Sequence, residues 1–293
     1  MTATAGPRRL AHRLRTGHAG LVYLFFYAPI ILLVVYSFSA DRLVGRWGGF
    51  TFEWYEEFWN NEELTDSIAV SIRVAIISTI VSVVLGTLSA LALERFTFRG
   101  QRVFDALLYL PIIIPDVTMG IMMLVFFSEA IEIVSPTYES IFGEPLTKGV
   151  NTIIVSHIAF NISFVSVVVR ARLAGMDSKL EEAAMDLYAN RWQTFRHVTF
   201  PQILPGIAGG ALLALTLSLD DVVVTQFASG PGATTLPVFV FSLIRKGVTP
   251  MINAVSVVML VASLVLVALM LAAERLRTDG GADVPDQPDK ISA

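Results

Sequence analysis

Three aspartates lie inside long apolar stretches of the sequence, and they are the side chains best placed to do chemistry there. Asp116 falls within 106–127, and the adjacent Asp220 and Asp221 fall within 206–228. A charge at the middle of a bilayer costs about 2.5–3.5 kcal/mol on insertion scales, and intramembrane acids usually mark a pathway. Carboxylates bind ammonium groups, and Trp or Tyr faces attract the same cations while covering methylenes. The acids therefore suit a slender organic cation.

The adjacent aspartates cannot both face one pore from a regular helix, because neighbouring helical residues point about 100° apart. Either the helix is unwound at Asp220 and Asp221, or one of them faces a cavity and the other faces a partner. The Gly-Pro-Gly sequence at 230–232 favours a distortion nearby. The alternative to a pathway role is that the acids pair with Arg or Lys of another subunit, or cap a broken helix.

Transmembrane helices are the elements that must position these acids. Of the 293 residues, 54% are hydrophobic and only 16% are charged, whereas a soluble domain carries about 25% charged residues. Apolar stretches of about 20 residues are long enough to cross the hydrocarbon core. They predict an all-α polytopic membrane protein with six spans, at 20–39, 74–93, 106–127, 150–169, 206–228 and 251–273.

The regions around these spans are assigned by charge. We predict a cytoplasmic N-terminal segment at 1–19, a transmembrane domain at 20–275 and a disordered cytoplasmic tail at 276–293. The third span is expected to be broken by Pro111 and Pro115, with Asp116 near its middle and an acidic loop at 128–149 after it. Of the 21 Lys and Arg, 15 lie in the two ends and in the loops after spans two and four. The positive-inside rule therefore places both ends and the loop after span four in the cytoplasm.

That loop after span four is predicted to contain two short helices. Ser178 to Glu181 has the pattern of a capping box, so a helix should begin at about Lys179. Leu180, Ala183, Ala184, Leu187 and Tyr188 follow with the spacing of one helical face. Asn190 can cap a second helix, which Pro201 should stop. An amphipathic helix with two central alanines can bind in a groove of a partner protein. It can equally pack on the membrane surface or on the helices of its own bundle.

The same loop resembles the EAA loop of permease subunits in binding-protein-dependent ABC importers. The family pattern is Glu-Ala-Ala, three residues, Gly, nine residues, Ile, one residue, Leu, Pro, and the spacing of Glu182 to Pro201 matches it. Tyr188 stands in place of the Gly, with Val198 and Phe200 in place of Ile and Leu. Because Gly commonly takes a left-handed conformation at a helix end, we expect either that Asn190 takes the turn or that the helices join differently.

The resemblance implies the type I ABC importer permease (MetI-like) fold and a loop that couples ATP hydrolysis to transport. The residues that would contact the ATPase are Glu182, Ala183, Ala184, Leu187 and Tyr188. The implied partners are two ATPase subunits that bind ATP and Mg²⁺, a second permease subunit, an extracytoplasmic substrate-binding protein and the lipid bilayer of the bacterial plasma membrane. The sequence lacks P-loop glycines followed by Lys and Ser or Thr, so no enzyme activity or bound cofactor is expected in this chain.

Further stretches are similar to spermidine/putrescine permease subunits of the PotC type, whose partner would be a PotB-like permease. They are Leu217–Val224, the GPGATTLP sequence after it, VTPMINA at 248–254, Pro115–Met119 and Trp47–Phe50. This resemblance implies roles in handling polyamines for Asp116, Ser218, Asp220, Asp221 and Trp47. The alternatives are the same importer with another cargo, such as thiamine or iron, and a stand-alone proton-coupled carrier. The EAA loop and the lack of an inverted repeat argue against the carrier.

Other polar residues are expected to be structural. His157 stands alone in an apolar span, where a buried and hydrogen-bonded histidine is the more common case, and no His/Glu cluster indicates a metal. Glu181 and Glu182 are interpreted as a solvated face, not a catalytic pair. The aromatic residues between spans one and two suit an interfacial belt or a packed cap, with Trp47 as the possible exception. The basic residues follow the topology and do not form a nucleic-acid site.

Overall fold

The computed structural model describes residues 6–43, 45–177, 179–246 and 249–279. These residues form two compact units. The first unit contains the described residues of Met1–Asn61 and Leu243–Ala293, and the second unit is Glu62–Ser242. Within the described residues the chain is helical, and its only β-type pairing is an isolated bridge between Ser39 and Phe50. The prediction of an all-α fold is confirmed.

The helices follow one another with short connections. The first six are α1 (Gly6–Tyr36), α2 (Glu53–Asn60), α3 (Glu62–Arg95), α4 (Gln101–Ile113), α5 (Asp116–Phe142) and α6 (Val150–Ala174). The rest are α7 (Lys179–Asp186), α8 (Arg191–Thr194), a π-helical segment (Phe195–Thr199), α9 (Phe200–Asp220), α10 (Val223–Ala228), α11 (Leu236–Lys246) and α12 (Pro250–Asp279).

Five described helices are long and apolar enough to cross a membrane: Leu14–Tyr36, Glu62–Arg95, Asp116–Phe142, Val150–Ala174 and Arg191–Asp220. They correspond to the first five predicted spans. The sixth predicted span lies in α12, a helix of 30 residues in which Pro250–Val265 is a shorter apolar stretch. The predicted tail beyond Asp279 lies outside the described residues.

The core of the second unit is the packing of α3, α6 and α9. Small residues allow the close approach, as is usual for helices in membranes. Gly86 of α3 lies against Val165 of α6 so closely that a Cβ at Gly86 would overlap the valine side chain. Val165, Val169, Ile203 and Ala214 are buried together at this contact.

The first unit contains α1, α2 and α12, with α12 packed on the other two. The rings of Phe38, Phe50, Phe52 and Tyr55 contact one another beside α2. The buried Trp54 donates its indole N–H to the carbonyl of Ser39 at 2.7 Å. Trp54 and Phe58 are buried whereas Phe50 and Phe52 remain exposed, so a packed cap describes only part of this aromatic segment.

Two predicted boundaries are wrong. The third span does not run through 106–127 with Asp116 at its middle, because Ile114 and Pro115 are extended and Asp116 begins α5. The predicted acidic loop at 128–149 is helical as far as Phe142. Proline fixes φ and disfavours helical geometry in the residue before it, so Pro115 ends one helix and precedes the next. The predicted break at Pro115 is confirmed, whereas the predicted break at Pro111 is wrong, because Pro111 lies inside α4.

Candidate functional site

The fifth span is unwound at the two aspartates. α9 ends at Asp220, Asp221 is extended with φ −69° and ψ 126°, and the six-residue α10 starts again at Val223. Of the two alternatives open from the sequence, the structure shows the unwound helix. The unwinding sends the two adjacent side chains into different surroundings.

Asp221 is turned into the protein and caps α10. Its Oδ2 accepts hydrogen bonds from the backbone N–H and the hydroxyl of Thr225, both at 2.7 Å, and its Oδ1 accepts one from the N–H of Val224 at 3.3 Å. The first N–H groups of a helix have no partner within the helix, and a carboxylate in this position supplies one. The carboxylate therefore stabilises the helix restart.

His157 of α6 joins the two sides of the break. Its ring is fully buried, with Nδ1 2.7 Å from Ser218 Oγ at the end of α9 and Nε2 2.9 Å from Thr225 Oγ1 in α10. Nε2 also lies 3.4 Å from Asp221 Oδ2. Ser218 Oγ is in turn 3.2 Å from Ser78 Oγ of α3. The prediction of a buried, hydrogen-bonded histidine is confirmed.

Asp220 is exposed, whereas its neighbour Asp221 is turned into the protein. Within the described part of the chain the side chain of Asp220 has neither a hydrogen bond nor an ion pair. It lies at the carboxyl end of α9, where the helix dipole is negative and the last carbonyl groups have no helical partner. Carboxylate and carbonyl oxygens together form a local environment that favours a cation.

A second helix break lies beside the first. α5 begins at the exposed Asp116 and packs on α10, with Met119 and Val224 buried in one cluster with Phe160 of α6. At Gly120 a Cβ would overlap the ring of Phe227. The start of α5 and the α9–α10 break therefore belong to one packed region, which brings together the elements that carry Asp116, Ser218, Asp220 and Asp221.

Two of the predicted pathway residues differ from the rest. Ser218 is buried and is engaged by His157 and Ser78. Trp47 belongs to the first unit, where it lies in the segment between Ser39 and Phe50 with its ring exposed.

The two helices of the EAA loop begin where the sequence predicts. α7 begins at Lys179, whose N–H donates to Asp177 Oδ1 at 3.0 Å, while Ser178 lies outside the described residues. α8 begins after Asn190, whose side chain accepts from the N–H of Gln193 while the Gln193 side chain accepts from the N–H of Asn190, both at 2.9 Å. Asn190 is therefore a helix cap, as predicted.

Tyr188 itself takes the left-handed turn, with φ +64°. The N–H of Ala189 donates to the carbonyl of Ala184 at 3.1 Å, and the N–H of Tyr188 donates to that of Met185 at 3.0 Å. This is the hydrogen-bond pattern of a Schellman motif, in which Gly usually occupies the position held here by Tyr188. The expectation that Asn190 takes the turn, or that the helices join differently, is wrong, because the two hydrogen bonds hold the tyrosine in place.

The turn places apolar side chains on the surface of the loop. Tyr188 is 97% exposed, Leu187 81% and Trp192 66%. Glu182 and Ala183 are also exposed, and Ala184 is half-buried. Exposed apolar side chains grouped on one loop indicate a contact surface for a partner.

Glu181 attaches the loop to the rest of the second unit, so its interpretation as part of a solvated face is wrong. Its Oε1 accepts from Arg95 at the end of α3 at 2.7 Å and from the hydroxyl of Thr199 at 2.6 Å. Arg170 of α6 joins the same end of the bundle to Glu94 and Asp105. Arg95 is 86 residues from Glu181 in the chain, so no local pattern reveals the pair.

Pro201 does not stop the second helix, contrary to the sequence prediction. Arg191–Asp220 is a continuous helical span that includes the π-helical segment, and Pro201 lies in the first turn of α9. Proline removes a backbone donor and clashes with the carbonyl four residues before it. The wider π turn, in which the N–H of Phe200 donates to the carbonyl of Phe195, occurs immediately before the proline.

Comparison with known proteins decides the family. The sequence pattern of the binding-protein-dependent transport system inner membrane component matches residues 82–277. This chain belongs to that family. It is therefore a multi-pass inner membrane component and the permease subunit of an ABC importer, which is consistent with the helices described above.

Relatives of this inner membrane component extend the match over most of the chain. The putrescine transport system permease protein PotI of Escherichia coli K12 is 40% identical over 82% of this chain and 83% of its own length. The spermidine/putrescine transport system permease protein PotC of Haemophilus influenzae is 36% identical over 87% of this chain and 94% of its own length.

Solved structures agree on the fold. A chain of a bacterial ABC transporter that imports the acidic polysaccharide alginate aligns with a TM-score of 0.72 and 19% identity, over 92% of this chain and 96% of that one. A chain of the MetNI methionine ABC transporter aligns with a TM-score of 0.52 and 19% identity, over 78% and 97%. The prediction of the ABC importer permease fold is confirmed.

Proposed function

We propose that this inner membrane component forms one half of the translocation pathway of a polyamine importer. The observation that carries the proposal is the identity of 40% and 36%, over more than four-fifths of the chain, to permeases named for putrescine and for spermidine/putrescine. The chemistry of the second unit supports the same substrate class. Exposed carboxylates at two helix breaks suit a cation with separated ammonium groups.

The proposed pathway uses Asp116, Ser218, Asp220, Asp221 and Trp47. Asp116 and Asp220 are exposed at neighbouring breaks, so they can contact ammonium groups directly. Ser218 and Asp221 shape the break in α9–α10 through their hydrogen bonds. Trp47 would cover methylenes or attract an ammonium group by a cation–π contact. Alternating access would arise because each ligand of the complex shifts the population toward the conformation that it binds better.

Energy would enter through the EAA loop. The exposed residues Glu182, Ala183, Leu187 and Tyr188 would contact an ATPase subunit, with the half-buried Ala184 behind them. The ATPase dimer would bind ATP and Mg²⁺, a second PotB-like permease would complete the pathway, and a binding protein would deliver the cargo from outside. Both chain ends and the loop would be cytoplasmic, in line with the positive-inside rule.

Uptake of radiolabelled spermidine and putrescine into proteoliposomes tests this function. The purified complex of both permeases and the ATPase would be reconstituted and supplied with binding protein and ATP. ATP-dependent accumulation of either polyamine supports the proposal. Accumulation of thiamine or iron instead would show that the importer carries another cargo. Uptake that persists without the ATPase but stops when the proton gradient is removed would indicate a proton-coupled carrier.

The variant Glu182→Lys probes the loop in the same assay. It reverses an exposed charge on α7, so it should leave the membrane fold intact while it uncouples ATP hydrolysis from uptake. The expected result is continued ATP hydrolysis with strongly reduced polyamine accumulation. Normal accumulation in this variant would remove the loop from the transport cycle.

A further inference from the structure

The break between α9 and α10 is held by a side chain that none of the assigned roles includes. His157 uses both ring nitrogens, one toward Ser218 before the break and one toward Thr225 after it, and Asp221 Oδ2 lies 3.4 Å from the second nitrogen. The ring is fully buried on α6, a helix packed on both α9 and α10. A buried polar group of this kind is stable only when its hydrogen bonds are made, so the ring fixes the position of both helix ends.

We infer that His157 is a positioning residue that gives the two adjacent aspartates different roles, Asp221 as a helix cap and Asp220 as a cation contact. His157 contacts Ser218, Thr225 and Asp221, and we call these four residues the clamp. The clamp keeps the chain unwound between α9 and α10 and holds the carboxylate of Asp221 in hydrogen bonds within the protein. Asp220 is then the aspartate of the pair that presents a free carboxylate to a cation. The statement about the cation rests on the proposed function, whereas the statement about the clamp does not.

The hydrogen bonds support this division directly. The two oxygens of Asp221 accept three hydrogen bonds within α10, so a ligand could reach this carboxylate only by displacing them. Asp220 has no such contacts within the described residues and is exposed at the carboxyl end of α9. If α9 continued as a regular helix through this point, the two carboxylates would point about 100° apart. Asp221 would then have no helix start to cap.

Asn161 provides a matched control on the same helix. It lies one turn after His157, it is also fully buried, and neither of its amide atoms has a hydrogen-bond partner among the described residues. Replacement of Asn161 therefore alters a buried polar residue of α6 without breaking the clamp. Asn161→Leu controls for the general effect of removing polarity from this interface.

A double-mutant cycle on the assembled complex tests the clamp. The melting temperature would be measured for the wild type, His157→Leu, Asp221→Asn, Asp220→Asn and the two double variants that contain His157→Leu. We expect His157→Leu and Asp221→Asn each to lower the melting temperature and their effects to overlap in the double variant, because both break one network. Asp220→Asn should leave the melting temperature unchanged. Fully additive effects of His157→Leu and Asp221→Asn would overturn the clamp.

Polyamine stimulation of ATP hydrolysis by the same complexes, with binding protein present, tests the division of roles. Asp220→Asn and His157→Leu should each raise the half-stimulating polyamine concentration by about tenfold, the order expected when one charge-assisted contact is lost or mispositioned. His157→Gln, which retains a donor and an acceptor, should recover part of the loss, and Asn161→Leu should retain the wild-type concentration. Unchanged stimulation in Asp220→Asn would overturn the assignment of Asp220. If polyamines do not stimulate ATP hydrolysis by the wild-type complex, the assignment of polyamines as the cargo is overturned. The melting temperatures of the double-mutant cycle still test the clamp in that case.

Discussion

Among the described residues of the EAA loop, Tyr188 is the non-glycine residue with a positive φ. A non-glycine residue in the left-handed region costs roughly 1–2 kcal/mol, and here two hydrogen bonds of the Schellman motif maintain it. Its ring is almost fully exposed and so gains little from packing within the chain. The residue therefore stores strain at the surface that would meet the ATPase.

Replacement of Tyr188 by glycine should release that strain. We expect Tyr188→Gly to retain the turn and to stabilise the loop locally, by no more than about 1 kcal/mol, because glycine also loses more chain entropy on folding. Hydrogen exchange at the N–H groups of Tyr188 and Ala189, measured in the assembled complex, reports this stability. Tyr188→Ala is the matched control, since it removes the ring but keeps the Cβ. Faster exchange in the glycine variant than in the alanine variant would contradict the account.

Single residues also show where sequence reasoning is sufficient and where it is not. The starts of α7 at Lys179 and of α8 after Asn190 were predictable, because helix starts carry short-range capping patterns. The predicted pair is present at Asn190 and Gln193, whereas the N–H of Lys179 bonds to Asp177, two residues before it. The turn at Tyr188 was not, because propensity disfavours it and only the completed hydrogen bonds reveal it. The partners of His157 lie 61 and 68 residues away, so its place between two helix ends follows only from tertiary packing.

At the scale of the helices, α7 is connected to the bundle through Glu181. This carboxylate links α7 both to the end of α3 and to the π-helical segment. A movement of the loop would therefore be passed to two membrane-spanning helices through one side chain.

We expect Glu181→Ala to weaken that connection. ATP hydrolysis should continue while polyamine accumulation per ATP falls, because α7 can then move without carrying α3 and α9 with it. Proteoliposome uptake and phosphate release, measured in the same sample, give this ratio. Asp186→Asn is the control on α7, since Asp186 is exposed and has no hydrogen bond or ion pair within the described residues. An unchanged ratio in Glu181→Ala would exclude this link.

The contact of α5 with α10 depends on Gly120. Gly120→Ala should destabilise the second unit by about 1–3 kcal/mol, because the added methyl group overlaps the ring of Phe227 in a packed interface. Gly209→Ala on α9 is the control, since its nearest neighbour, Val168, would lie at an ordinary contact of 3.8 Å. The difference in melting temperature between the two variants measures the effect. Equal melting temperatures would show that the α5–α10 packing tolerates a side chain at Gly120.

Hydropathy and proline content predicted these helices only in part. Apolar length located the spans because the bilayer sets it. The break between α4 and α5 was expected from Pro115, but Pro111 and Pro201 were wrongly expected to break or end a helix, since one lies inside α4 and the other follows a π turn in a continuous span. In both places a proline permits two outcomes, a break or an accommodated bulge, and the surrounding packing selects one.

At the scale of the whole molecule, the chain belongs to the family of inner membrane components of importers, and we propose that it is a polyamine permease. The fold was predictable from the spans and the EAA loop. The substrate was only suggested by Asp116, Asp220 and Asp221, because carboxylates at helix breaks suit many cations. The relatives named for putrescine and spermidine narrow this choice.

We propose that a polyamine, delivered from outside, drives the transport cycle of the complex that contains this chain. The most direct test is ATP hydrolysis by the assembled complex in lipid nanodiscs, with its binding protein present, titrated with spermidine and with putrescine. We expect at least one of them to increase the rate of ATP hydrolysis in a saturable manner. A complex that assembles and hydrolyses ATP at a rate unaffected by either polyamine would contradict it.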